Sequence, residues 1–77
     1  MFGERLKETR KELKYSQEKV AEMINISRSN ISKYETEDLE PNIETLKMLC
    51  DLYKVSADYI IGRTDDKRGI RYTETFR

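Results

Sequence analysis

The stretch "SQEKVAEMINISRSNISKYE", residues 16–35, constrains the fold more than any other part of the chain. Two short runs of helical periodicity are separated by only a few residues. The first places Val20, Ala21 and Ile24 on one stripe behind Ser16, whose hydroxyl can accept from an orphan amide of the opening turn. Its capping box is half present, because Lys19 stands where a Glu or Gln would reach back. Asn25 then falls where a tight turn demands positive φ, which asparagine tolerates better than other non-glycine residues. Ser27 caps the second run, in which Ile31 and part of Tyr34 face inward while Arg28, Ser29, Ser32 and Lys33 face away. A helix this short is unstable alone in water. It must be held by other elements, and packing does not explain its polar side.

The remaining elements follow from the same periodicity. Phe2, Leu6 and Leu13 predict a first amphipathic helix from about residue 2 to about residue 14. After the polar loop "TEDLEP", Asn42 is a natural N-cap for a fourth helix with Ile43, Leu46, Leu49, Cys50 and Tyr53 on its apolar side. Val55 and Ser56 turn the chain into a short fifth helix, "ADYII", which Gly62 can end in the left-handed conformation. Seventy-seven residues bury one core, not two. The reading is therefore all-α, with one domain over residues 1–62, a helix-turn-helix at about 16–35, and a tail over 63–77. In that tail Ile70, Tyr72 and Phe76 fall on alternate positions, so a β-strand used for pairing and plain disorder are both open.

Composition narrows the function. There is no histidine, one cysteine, no glycine-rich phosphate loop and no Cys/His spacing for zinc, and no pair of carboxylates is set in an apolar surround. Catalysis, a metal and a cofactor are therefore not expected, nor is a pocket for a small-molecule ligand. Cys50 lies in "LKMLCDLY" and reads as a small core residue in a reducing compartment rather than a reactive thiol. No leader opens the chain and no apolar run approaches the ~20 residues of a membrane span, so a cytoplasmic location is expected. A formal net charge of zero argues at first against a nucleic-acid partner. Its distribution weakens that objection: residues 1–14 carry five Lys/Arg against three acids, residues 36–62 two against six, and the tail five against three.

From Phe2 to Gly62 the sequence resembles the phage-repressor and Cro-like (Xre-type) helix-turn-helix domain. The resemblance is carried by "RLKETRKELKYSQEKVAEMINISRSNISKYE" and "PNIETLKMLCDLYKVSADYIIG". Two departures are mild: Asn25 replaces the glycine usual in the turn, and Lys19 weakens the second helix's cap. The resemblance implies a lambda-repressor-like fold of five helices around one core, with the second and third helices docking on double-stranded DNA.

In such a motif the second helix lies in the major groove and presents base-reading side chains from its N-terminal part. Arg28, Ser29 and Asn30 crowd that turn, and Ser32 and Lys33 follow. Arg28 and Lys33 suit guanine edges, Asn30 suits adenine, and Ser29 discriminates weakly. Ser16 and Gln17, with the free amides opening the second helix, are expected to position a phosphate. By resemblance Ser27, Asn30 and Thr36 touch the backbone flanks, and Asn42 presents the fourth helix to a further phosphate; Ser27 and Asn42 also serve simply as caps. Also by resemblance, Arg10 and Glu35 pair between the first helix and the end of the third, leaving the guanidinium able to reach a phosphate.

One recognition helix reads too few base pairs for an operator, so a homodimer on a pseudo-palindromic site is expected. Its interface is placed at Val55, Ala57, Tyr59 and Ile60, with Ile70, Tyr72 and Phe76 of the tail as a possible addition; Tyr59 and Ile60 also read as plain core, and at least one of them is expected to be that. The expected function is a sequence-specific transcriptional regulator, a repressor that occludes RNA polymerase. Activation through contact of Glu37, Asp38 and Glu40 with polymerase is the other possibility. The rival class is an antitoxin-like or immunity-type regulator acting mainly on another protein, which the neutral total charge keeps open.

Overall fold

Four side-chain caps punctuate the chain. The computed structural model describes residues 2–62, 65 and 67, and among these it contains five helices and no strand. They are α1 (Phe2–Glu12), α2 (Gln17–Ile24), α3 (Arg28–Thr36), α4 (Ile43–Tyr53) and α5 (Ala57–Ile60). Ser16, Ser27, Asn42 and Ser56 each take an extended conformation and accept from the amide three residues on, at 3.0, 3.1, 2.8 and 3.0 Å. Each bond satisfies one amide that the first helical turn leaves unpaired. At the other ends, Asn25, Glu37 and Lys54 turn the chain in the left-handed region at φ 58°, 67° and 58°, and Gly62 follows α5 at 87°. The turn chemistry expected of Asn25 and Gly62 is present, whereas Glu37 and Lys54 occupy positions where a glycine would be less strained.

Leu6, Val20, Ala21, Ile31, Tyr34, Leu49, Cys50, Tyr53 and Ile60 form one core, with Phe2, Ile24, Leu46 and Val55 packed around it. α3 packs against both α1 and α2, while α5 packs against α1 and α4. The recognition-helix candidate is thus wedged on one side of the bundle. Burial holds the Tyr53 hydroxyl far above its usual range, with the Glu35 carboxylate adding to the effect, and burial likewise raises the Cys50 thiol. Cys50 is a free core thiol. No helix among the described residues is long and apolar enough to cross a membrane.

Three expectations need correction. α1 stops at Glu12, because Lys14 takes φ 63° and its amide donates to the Lys11 carbonyl at 2.9 Å; Leu13 consequently leaves the stripe and is 42% exposed. Ile43 continues the apolar register of α4 but sits in its first turn, beyond the cover of any other helix, and is 77% exposed. Ile60, expected at a dimer surface, is fully buried in its own chain's core and offers nothing to a partner. The tail residues Ile70, Tyr72 and Phe76 lie outside the described residues.

Candidate nucleic-acid interface

The short turn between α2 and α3 is closed by backbone bonds from Asn25 and Ile26 to Ala21, the latter at 3.0 Å, which sets α3 across α2. α3 buries only Ile31, Tyr34 and Glu35. Its opposite side is polar. Gln17 at the start of α2 and Arg28, Ser29, Ser32 and Lys33 of α3 line one concave patch. Arg28, Ser29 and Lys33 are exposed, and Ser32 and Asn30 are half-exposed. None of the side chains of Arg28, Ser29, Asn30, Ser32 and Lys33 is hydrogen-bonded or ion-paired to a described residue. Four of the five base-reading candidates therefore share one surface with Gln17; Asn30 stands beside it, its amide held by the Ser27 hydroxyl at 3.1 Å.

Beneath this surface lies a buried ionic knot. Arg10 Nε donates to Glu35 Oε2 at 2.6 Å and Nη2 to Oε1 at 3.1 Å, a two-pronged pair with 9% and 4% of the side chains exposed. Hydrogen bonding to Glu35 keeps the guanidinium above its usual pKa despite the desolvation that opposes it. Arg10 Nη1 also donates to the Tyr15 carbonyl at 2.8 Å, which fixes the α1–α2 connection. Gln17 Nε2 donates to Glu35 Oε1 at 3.1 Å. The knot thus joins α1, α2 and α3 at one point, and Arg10 is turned into it, a more inward placement than a phosphate ligand suggests. With Glu35 neutralised there, the exposed charges of the motif are Lys19, Arg28 and Lys33 against Glu18 and Glu22.

The flanking candidates divide. Ser16 and Ser27 are exposed caps beside the patch. Thr36 Oγ1 instead donates toward Asp38 Oδ2 at 2.9 Å and the Lys33 carbonyl at 3.3 Å, so its hydroxyl faces an anion of its own chain. Asn42 is an exposed cap on α4. At the other end of the molecule, Tyr59 is half-buried with the Arg5 guanidinium 4.4 Å above its ring, and Arg5 Nη1 donates to the Tyr59 carbonyl at 2.9 Å. Arg5 also pairs with Asp65 at 2.6 Å, and Lys67 with Glu12 at 2.7 Å. Val55 is half-buried and Ala57 exposed.

Sequence reasoning missed Gly3. A Cβ there would stand 2.5 Å from the Glu35 carbonyl oxygen and 2.8 Å from that of Tyr34, so only glycine lets α1 rest directly on the last turn of α3. A glycine inside an otherwise helical run was the available signal. No cluster of metal-ligating side chains is found among the described residues.

Comparison with known proteins agrees with this geometry. A family model described as "Helix-turn-helix" matches residues 6–60. The chain is 43% identical to the HTH-type transcriptional regulator ImmR of Bacillus subtilis over 64 residues, 83% of this chain and 50% of that protein. It is 44% identical to "Uncharacterized HTH-type transcriptional regulator YobD" of the same organism over 66 residues, 86% of this chain and 59% of that one. Repressor protein C2 of Salmonella phage P22 is 36% identical over 72 residues, 94% of this chain and 33% of the repressor. The chain belongs to the helix-turn-helix family. It spans about half the length of the first of these relatives.

Proposed function

We propose that this chain is a DNA-binding transcriptional regulator that reads double-stranded DNA with α3 in the major groove. The observation that supports this best is the concave polar patch of Gln17, Arg28, Ser29, Ser32 and Lys33, whose α3 side chains make no hydrogen bond or ion pair with the described residues. Arg28 and Lys33 read guanine edges, and Ser29, Asn30 and Ser32 contribute adjoining base or backbone contacts. Ser16, Gln17 and Ser27 hold the flanking phosphates at helix N-termini. Thr36 and Asn42 are outer contacts, and Arg10 acts chiefly by holding Glu35. Two copies of the chain on a pseudo-palindrome set their α3 helices one DNA turn apart, about 34–36 Å, as for helix-turn-helix dimers generally. Val55, Ala57 and Tyr59 with the tail supply the contact between copies. Repression by occlusion is the reading we favour, in keeping with the phage repressor among the relatives.

Selection of bound sites from random duplex DNA with the purified protein tests this directly. A symmetric enriched sequence is expected, with half-sites 10–10.5 base pairs apart as in known dimers of this type. Affinity should fall steeply with salt, with a log–log slope of about −0.9 for each phosphate neutralised. No enrichment at moderate salt, together with salt-insensitive capture of a protein partner, would establish the antitoxin-like reading instead.

A further inference from the structure

We infer that Glu37 is a positioning residue for the DNA-reading helix, fixing the C-terminal end of α3 to the N-terminus of α1 through the backbone amide of Gly3. The inference rests on the function proposed above for α3.

The apolar contacts of α3 do not by themselves fix its attitude. Ile31 and Tyr34 are its buried hydrophobic anchors, one turn apart on one face. Two anchors so close define a line of contact about which a helix can still roll and tilt. Direction comes from polar ties to α1. Gly3 and Arg10 lie seven residues apart on α1, two turns along one face, roughly 10 Å by helical rise. Arg10 grips Glu35 at one point. At the other, the α1 backbone at Gly3 is pressed against the carbonyl oxygens of Tyr34 and Glu35, and Glu37 Oε2 accepts from the Gly3 amide at 3.0 Å. That amide belongs to the first turn of α1, where donors lack helical partners and an anion is favoured.

The residue type at position 37 points the same way. Glu37 ends α3 at φ 67°, a conformation that suits glycine or asparagine and strains other side chains. Nothing about the backbone calls for glutamate there. Its carboxylate, long enough to return to α1, is the feature a glycine would lack.

The test uses the full chain and the site it selects, with Glu37→Gly and Glu37→Gln compared with wild type. Glu37→Gly relieves the backbone but removes the tie, and Glu37→Gln keeps an acceptor oxygen while removing the charge. For Glu37→Gly a thermal midpoint within a few degrees of wild type is expected, because relief of strain offsets the lost hydrogen bond. Its affinity for the selected site should fall about tenfold, while affinity for unrelated duplex holds or rises as a negative charge leaves the protein. Glu37→Gln should stay within about twofold of wild type on the selected site, since the acceptor remains. Wild-type affinity and base preference in Glu37→Gly would overturn the inference, as would a large drop in its midpoint or an equal loss in Glu37→Gln. If the wild-type chain selects no sequence, the DNA-reading assignment itself fails; if it selects a site that Glu37→Gly keeps, only the role of Glu37 fails.

Discussion

The guanidinium of Arg10 and the carboxylate of Glu35 meet face to face between α1 and α3, two hydrogen bonds at 2.6 and 3.1 Å with almost no solvent around them. A pair this buried matters most when half of it is missing. Arg10→Met is expected to leave Glu35 an uncompensated buried anion and to cost about 3–5 kcal/mol, against under about 1 for an exposed pair. Arg10→Met combined with Glu35→Leu should recover much of that loss. Urea midpoints of the two variants check this, and a loss under 1 kcal/mol in Arg10→Met would contradict the buried geometry.

On the DNA side, Arg28→Ala and Lys33→Ala are expected to leave the unfolding midpoint near wild type, because neither side chain bonds to the described protein. Each should weaken binding to the selected site by about 1–3 kcal/mol and relax preference at the base it reads. Repeating the site selection with each variant distinguishes lost discrimination from a uniform loss of affinity.

Gly3→Ala sets two effects against each other. Alanine favours helix over glycine by about 0.5–1 kcal/mol, but its methyl would overlap two carbonyl oxygens of α3 that belong to rigid backbone. Overpacking of that kind costs about 1–3 kcal/mol, so net destabilisation is expected. A thermal melt of the variant that came out above wild type would show that α1 can lift away freely.

Thr9 is 3% exposed, and its hydroxyl has no hydrogen-bond partner among the described residues. Thr9→Val keeps the β-branched shape and removes a stranded polar group, so a gain of about 1 kcal/mol is expected. Denaturant unfolding at neutral pH measures it.

Alkali should unfold the chain from the inside. Tyr53 and Cys50 are both raised by burial from ordinary values of 10.0 and 9.0. Each group holds its proton more tightly when folded, so its contribution is fully present below those values and is lost as pH climbs above them toward the raised folded pKa. Stability should decline from about pH 9 upward, by at most about 1.4 kcal/mol per pH unit per group. Urea midpoints taken between about pH 8 and 11 should slope less in Tyr53→Phe and Cys50→Ala; parallel curves for all three proteins would refute the assignment.

The local chemistry of this chain was readable in advance because it acts over three or four residues. Ser16, Ser27 and Asn42 cap as their types require, Asn25 and Gly62 turn as theirs allow, and the Leu49, Cys50, Tyr53 stripe is buried as its spacing demands. The polar side of α3 was legible for the same reason: too few apolar residues to justify a helix there. What periodicity could not supply was how far neighbouring helices extend. Ile43 keeps the register of the buried stripe yet is left exposed in the first turn of α4, and Leu13 falls off its stripe because α1 ends at Glu12. Ile60 shows the converse, since a four-residue helix says nothing of which side the bundle will cover. Gly3 stood out locally as a glycine in a helical run, but the contact that requires it is with residues more than thirty positions away, which the run itself could not name.

The side chains of Arg28, Ser29 and Lys33 on the outward strip of α3 make no hydrogen bond or ion pair with the described residues. On the proposed role of α3, substitutions along that strip change which duplex is chosen while the scaffold keeps its melting behaviour, so target preference is free to drift faster than the interior.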